Sequence, residues 1–286
     1  MASLKAIRKR ISSVKSTQKI TKAMKMVSAA KLRRAQEAAT AARPYADKIT
    51  ALMGNVAARV GSSSHPLLEQ REHERTIDVL LVTGDRGLCG GYNTNLIRKA
   101  EALLNERGWD NVRLTVVGRR AFDYFKRRPA NIVDKHINLF GGPGSALAQD
   151  LGERLSREFA EGVTDGVYLV YSHFRSALSQ IPTVERLLPI AADSAAGADS
   201  VDYLYEPDAA ALLDRLLRQY VSVLIHRAFL EATASEHGAR MTAMDSATRN
   251  ASDMIERLTL EMNRARQATI TKELMEIVGG AEALKG

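Results

Sequence analysis

The residues best suited to chemistry lie in one glycine-rich stretch, TGDRGLCGGYN at 83–93, between an apolar run and a helical pattern. A loop so placed can cradle phosphate, because the first N–H groups of the following helix are unpaired and its dipole favours an anion. The spacing argues otherwise: Gly84, Gly87, Gly90 and Gly91 match neither GxGxxG nor a Walker loop, and no Gly-Lys-Ser/Thr follows. The same glycines would serve a tight strand-to-helix turn that needs positive φ angles. Cys89, the only cysteine, offers a thiol nucleophile, yet no histidine is near it in sequence and buried structural thiols are commoner. The carboxylates Asp85 (beside Arg86), Glu206 with Asp208, and Glu273 with Glu276 are candidates for acid–base work, but no spacing orders them into a constellation. Six scattered histidines and one cysteine give no metal-ligand pattern. No catalytic, cofactor-binding or metal-binding residue is therefore assigned. Met24, Met26, Met241, Met244 and Met262 are read as core or seam filler.

The elements that carry these residues are dominated by the C-terminal run, which has no proline after Pro207. From Met241 a stripe of small, apolar and Thr residues passes through Met244, Thr248, Ala251, Ile255, Leu258, Met262, Ala265 and Thr269 in steps of three and four. Such spacing is a coiled-coil seam. It then shifts by one position and continues through Ile270, Leu274, Ile277, Ala281 and Leu284. At 1.5 Å per residue this helix would be ~110 Å long, more than a compact domain of this size can bury, so it is expected to project.

Residues 3–60 read as a second long helix. Leu4, Ile7, Ile11 and Val14 form its first stripe; Ile20, Met24 and Val27 are expected to take over, and Tyr45, Ile49, Leu52 and Val56 to resume it beyond an Ala-rich stretch. Pro44 should kink or end the helix. The formal net charge is +8, but residues 1–60 alone carry 14 Lys and Arg against Glu37 and Asp47, a balance of +12. A nucleic-acid arm, a cleaved presequence and a helix facing an acidic protein surface all fit that charge. The absence of aromatic residues before Tyr45 weakens the first, and a periodic pattern that runs on unbroken weakens the second.

Between the helices the grammar changes. Continuous branched runs at 77–82 (IDVLLV), 112–117 and 167–171 read as buried parallel strands, 132–134 as a further strand, and 183–188, between Pro182 and Pro189, as an edge strand. Helical patterns at 93–107, 120–126 and 145–161 alternate with them, which implies an open, doubly wound α/β sheet. The expected organisation is an N-terminal coiled-coil helix at 1–60, a linker at 61–75, a Rossmann-like α/β domain at 76–200, and a C-terminal coiled-coil helix at 201–286 paired antiparallel with 1–60. With residue 59 opposite 208, Leu4 falls opposite about residue 263, and the last 20 or so residues stand unpaired and call for an external socket. No window is apolar enough to span a bilayer, no apolar signal core opens the chain, and one cysteine excludes a disulfide framework.

Five blocks, in order along the whole chain, resemble the gamma subunits of F-type ATP synthases. They are TQKITKAMKMVSAAKLRRAQ at 17–36 with RPYA at 43–46, the turn TGDRGLCGGYN, DYLYEPD at 202–208, SEHGARMTAMDSATRNA at 235–251 and RARQATITKELMEIVGGAEAL at 264–284. The resemblance implies a non-catalytic rotary shaft. Its paired terminal helices would stand inside a hexamer of alpha and beta subunits, with the α/β domain near the epsilon subunit and the c-ring, one copy per complex. It would be a peripheral protein on the cytoplasmic face of a bacterial inner membrane, attached through other subunits. Position by position, Met24, Lys25 and Arg240 match contacts to loops of the beta subunits; Arg266, Gln267, Thr271 and Glu273 match the bearing around the C-terminal helix; Tyr205 and Glu206 match the foot. The basic first helix would face acidic loops of the beta subunits. The alternatives are a basic coiled-coil protein that binds nucleic acid and, more weakly, a nucleotide-dependent enzyme using the 84–91 turn.

Overall fold

The computed structural model describes residues 4–60, 65–138, 144–190 and 209–283. The chain forms two compact units, residues 1–27 with 241–286, and residues 28–240. Helices α1 (Leu4–Val60) and α5 (Ala209–Ala283) each contribute to both. Helix α1 runs on through Pro44, which therefore does not end it as a boundary.

The unit of residues 28–240 is built on a five-stranded sheet. Its strands are β1 (Ile77–Val82), β2 (Val112–Val117), β3 (Asn131–His136), β4 (Gly166–Phe174) and β5 (Gln180–Leu188), in the order β3-β2-β1-β4-β5. The first four are parallel; β5 returns antiparallel at one edge, and β3 forms the other. The helices α2 (Tyr92–Arg107), α3 (Arg119–Phe125) and α4 (Gly144–Ala160) supply the crossovers. Because side chains alternate along a strand, β1 divides its apolar residues between two cores. Ile77, Val79 and Leu81 pack with α2 and α3 residues such as Leu96, Leu104 and Phe125. Leu80 and Val82 pack with Leu151, Leu155 and Phe159 of α4 and with a long face of α5 from Leu213 to Ala232, where Ile49 and Met53 of α1 join them. This is the doubly wound arrangement expected from the alternation of strands and helices.

The polar exception is Asp78, which is buried on β1, next in register to Arg113 of β2. Arg113 Nε stands 3.5 Å from the Asp78 carboxylate, and its Nη2 donates to Glu158 at 2.6 Å. Neither oxygen of Asp78 has a hydrogen-bond partner among the described residues.

In the unit of residues 1–27 and 241–286 the two helices pair antiparallel. Ile7 and Ile11 bury against Leu258, with Val14, Met262 and Ala265 beside them. Gln18 Nε2 donates to Ser252 Oγ at 2.7 Å, the Thr21 and Thr248 hydroxyls share a 2.8 Å hydrogen bond, and Lys25 pairs with Asp245. These pairs place Leu4 opposite about residue 266, roughly one helical turn beyond the sequence estimate. The stripe also differs from expectation: Ile20 and Val27 are 60% and 57% exposed, while Thr21 is buried. The three-and-four step of Ile7, Ile11 and Val14 continues unshifted through Gln18, Thr21 and Lys25, so hydroxyl and charged residues occupy the seam and the branched apolar ones flank it.

Candidate functional site

The glycine-rich turn is held together by its own polar atoms. Thr83, at the end of β1, donates its backbone N–H to Val117 O at 2.8 Å, and its hydroxyl accepts from the Ala121 N–H at 3.1 Å. Asn93 closes the loop from the first turn of α2: its Oδ1 accepts from the Gly84 N–H at 2.9 Å, and its Nδ2 donates to Arg86 O and to Cys89 Sγ at 3.2 and 3.1 Å. One Asp85 oxygen accepts from the Arg119 and Asn138 N–H groups at 2.9 and 3.0 Å. Gly118 has φ +101°, and a Cβ there would stand 2.1 Å from Thr83 O, so only glycine fits. The Gly84 and Tyr92 N–H groups, two that a phosphate loop would offer to its ligand, are here committed to the chain itself. Cys89 is buried, and burial pushes its thiol upward, away from the thiolate a nucleophile needs.

The same turn abuts α5. Arg240 ion-pairs with Glu236, donates through Nε to Gly87 O at 3.3 Å, and places Nη1 3.2 Å from His237 Nδ1. Desolvation raises the Glu236 carboxyl above its ordinary range, with Arg240 opposing. Burial, with Arg240 and Lys31 adding to it, pulls His237 down to about 4, so its ring is neutral near pH 7 and can accept from Arg240. Arg240 is thus turned inward, its side chain 9% exposed, where it was expected to face partner loops.

The remaining candidates on the two long helices divide cleanly. Met24 and Lys25 are half-buried, and Lys25 holds Asp245, whose carboxyl is lowered chiefly by that hydrogen bond. Residues 266–281 of α5 are all exposed, and with them Arg266, Gln267, Thr271 and Glu273. Ile270, Leu274, Met275, Ile277 and Val278 lie exposed in the same stretch. Glu276 pairs with Lys272 at 3.6 Å, one turn away, as a solvated helix charge does. Tyr205 and Glu206, with Asp208 and the linker and loop at 61–64 and 191–200, lie outside the described residues.

Residues 3–284 match the family model described as ATP synthase. The ATP synthase gamma chain of Pelotomaculum thermopropionicum is 49% identical over 286 residues, with all of both chains covered. That of Moorella thermoacetica is 50% identical over 285 residues, again with complete coverage. The chain belongs to the ATP synthase gamma chain family. A chain of the Tetrahymena thermophila mitochondrial ATP synthase central stalk and c-ring structure aligns with TM-score 0.62 and 25% identity, over 80% of this chain and 99% of that one. A Euglena gracilis mitochondrial ATP synthase chain aligns over 98% and 94% with TM-score 0.69 at 21% identity, a likeness of fold.

For a gamma chain, the arrangement described here is one of surfaces and not of reacting groups. No helix among the described residues is long and apolar enough to cross a membrane. Two residues escaped sequence reasoning: Glu236 and Asp245. Each belongs to an i, i+4 or cross-helix charge pair that reads as solvated until the neighbouring element is in place. The only signal was the family block at 235–251 that contains both.

Proposed function

We infer that this chain is the non-catalytic rotary shaft of an F-type ATP synthase, coupling ion flow through the membrane sector to ATP synthesis or hydrolysis at the beta subunits. Full-length identity to ATP synthase gamma chains carries this reading. The exposed apolar face at the end of α5 supports it, since a seam that loses its partner helix needs another surface to cover it. The partners are the alpha and beta subunits, the epsilon subunit and the c-ring, with one gamma copy per complex at the cytoplasmic face of a bacterial inner membrane.

The coupling is by differential contact. A shaft face changes the nucleotide state of a beta subunit only by the difference in its contact energy between open and closed forms, and moving a population from 1:99 to 99:1 takes about 5.5 kcal/mol. Linkage makes this reciprocal, so nucleotide binding turns the shaft as the shaft drives nucleotide release. Met24 and Lys25 would meet the beta loops, and Arg266, Gln267, Thr271 and Glu273 the bearing. Arg240 reaches such a surface only through its small exposed edge. Tyr205 and Glu206 would form the foot. The paired helices of 1–60 and 201–286 would be the shaft proper and 76–200 its inserted domain. Charge attraction screened within about 8 Å at physiological salt suits a basic helix that slides past acidic loops better than fixed ion pairs do.

Pull-down of the tagged chain from native membranes tests this. Stoichiometric alpha and beta subunits with one gamma copy are expected. Recovery without them, together with a steeply salt-dependent affinity for DNA, would return the basic helix to nucleic acid.

A further inference from the structure

Along most of α5 in the sheet-bearing unit, burial is one-sided, as a helix lying on a sheet requires. At residues 234–240 this changes: seven consecutive residues are buried. At 3.6 residues per turn they close nearly two full turns, so no direction around the helix axis faces water there. Four of them are Ser235, Glu236, His237 and Arg240, so apolar burial alone does not explain it.

The wall of this socket comes from separate elements. Tyr92 of α2 donates its hydroxyl to Ala232 O at 3.1 Å, and Ser235 Oγ donates to Ser172 O of β4 at 3.1 Å. The β4–β5 hairpin closes against Gly238, where a Cβ would lie 3.3 Å from Ala177 Cα. The glycine-rich turn supplies a further side, and α1 another, its Lys31 close enough to act on both Glu236 and His237. A Cβ on Gly84 would stand 2.8 Å from the Glu236 carboxyl carbon, and Gly87 O takes the Arg240 Nε hydrogen bond.

We propose that residues 234–240 form a torque grip: α2, β4, the β4–β5 hairpin and the glycine-rich turn, together with α1, enclose α5 and fix it against rotation about its own axis. Apolar packing along 213–232 resists separation but has little directionality, whereas the hydrogen bonds of Tyr92 to Ala232 O, Ser235 to Ser172 O and Arg240 to Gly87 O each fix an azimuth. This gives TGDRGLCGGYN a mechanical role, with Gly84 small so that the turn can close on the Glu236 carboxylate. Glu236, Arg240, Ser235 and Tyr92 are then positioning residues for rotary coupling. The proposal rests on the shaft reading above.

Single-molecule rotation of the assembled complex tests it, with the hexamer immobilised and a bead attached through V163C on a C89S background. Torsional stiffness is read from the bead's thermal fluctuations during catalytic dwells. Arg240→Ala should soften the shaft about twofold, since its guanidinium bond to Gly87 O is charge-assisted and the strongest of the set. Y92F/S235A removes two neutral hydrogen bonds, leaves no large cavity, and should soften it less. Stiffness of Arg240→Ala complexes equal to the parent overturns the proposal. Should that variant fail to assemble, unchanged stiffness in Y92F/S235A overturns it instead. A parent complex whose bead never rotates refutes the shaft reading, an outcome distinct from either.

Discussion

Replacing Asp78 by Asn should stabilise the α/β unit at neutral pH, although it removes one member of a buried ion pair. Burial drives the Asp78 carboxyl from 3.8 up to about 6, against the pull of Arg113. A rise of about two units corresponds to roughly 3 kcal/mol. The folded state binds this proton more tightly than the unfolded chain, so stability is full below pH 3.8, falls as pH climbs toward 6, and is flat above. His237 has the opposite sign: its value is depressed from 6.5 to about 4, so its contribution is full above 6.5 and is lost as pH falls toward 4. The two slopes largely cancel in the parent, which makes the parent profile uninformative and the difference between parent and variant the quantity to measure. That difference should move in favour of Asn by about 2 kcal/mol from pH 4 to pH 7, because part of the roughly 3 is already lost at pH 4. The attraction to Arg113 is already counted in the rise of the Asp78 value, since it opposes burial in setting that value at about 6, and Glu158 still holds the guanidinium when Asp78 is gone. The gain of about 2 kcal/mol corresponds to roughly 4–8 °C in Tm for a unit of this size. Urea unfolding followed by Trp109, the single tryptophan, which lies in the same unit 6.2 Å from the Phe125 ring, reports the transition. A difference flat across pH 4–7, or a variant weaker than the parent at pH 7.5, would refute the reasoning.

Three further outcomes follow from the packing. Deleting residues 267–286 should leave the Tm of the isolated chain nearly unchanged, since the described part of that segment up to residue 281 is wholly exposed, and should weaken torque in the complex more than assembly; complete loss of assembly counts against this. Cys89→Ser should keep most ATPase activity of the assembled complex, at a cost of about 1 kcal/mol for placing a hydroxyl where a buried thiol packs; loss of most activity would show that the thiol has a further role. Gly118→Ala should lower stability by several kcal/mol, about 3 or more, because both the φ of +101° and the 2.1 Å approach to Thr83 O oppose a Cβ; soluble protein with parental Tm would contradict the geometry.

Where the sequence was legible, one physical signal dominated. Strands β1 and β2 begin and end where their predominantly apolar, branched runs do, interrupted only by Asp78, Arg113 and Thr115, since both faces of the sheet are covered. Strand β4 outruns its apolar core by Ser172, His173 and Phe174 because hairpin pairing with β5 continues past it, and backbone pairing leaves no mark in composition. The seam of α1 was misread for a related reason. An apolar count prefers Ile20 and Val27, but Thr21 is buried where its hydroxyl meets that of Thr248, and a hydroxyl pair is invisible until the second helix is opposite. The burial of Glu236 and Arg240 was hidden by the same rule, because it comes in part from a turn some 150 residues away in the chain.

The polar layers of the helix pair have a consequence that an all-apolar seam would lack. Ile7, Ile11 and Leu258 would meet other apolar residues if one helix slid a heptad past the other, so that layer tolerates slip. Gln18 with Ser252, Thr21 with Thr248 and Lys25 with Asp245 are three successive pairings, each of which breaks on such a slip. Burying Thr21 lowers the net stability the pair can reach, since a satisfied hydroxyl gains only about 1 kcal/mol where a branched apolar side chain gains roughly 1.5–3. What it provides in exchange is a single register. A gamma chain that transmits torque through two helices needs them to turn as one body. Register fixed by hydrogen bonds along the seam, and azimuth fixed by the grip on residues 234–240, are the two constraints that make α5 rigid in both the axial and the rotational sense.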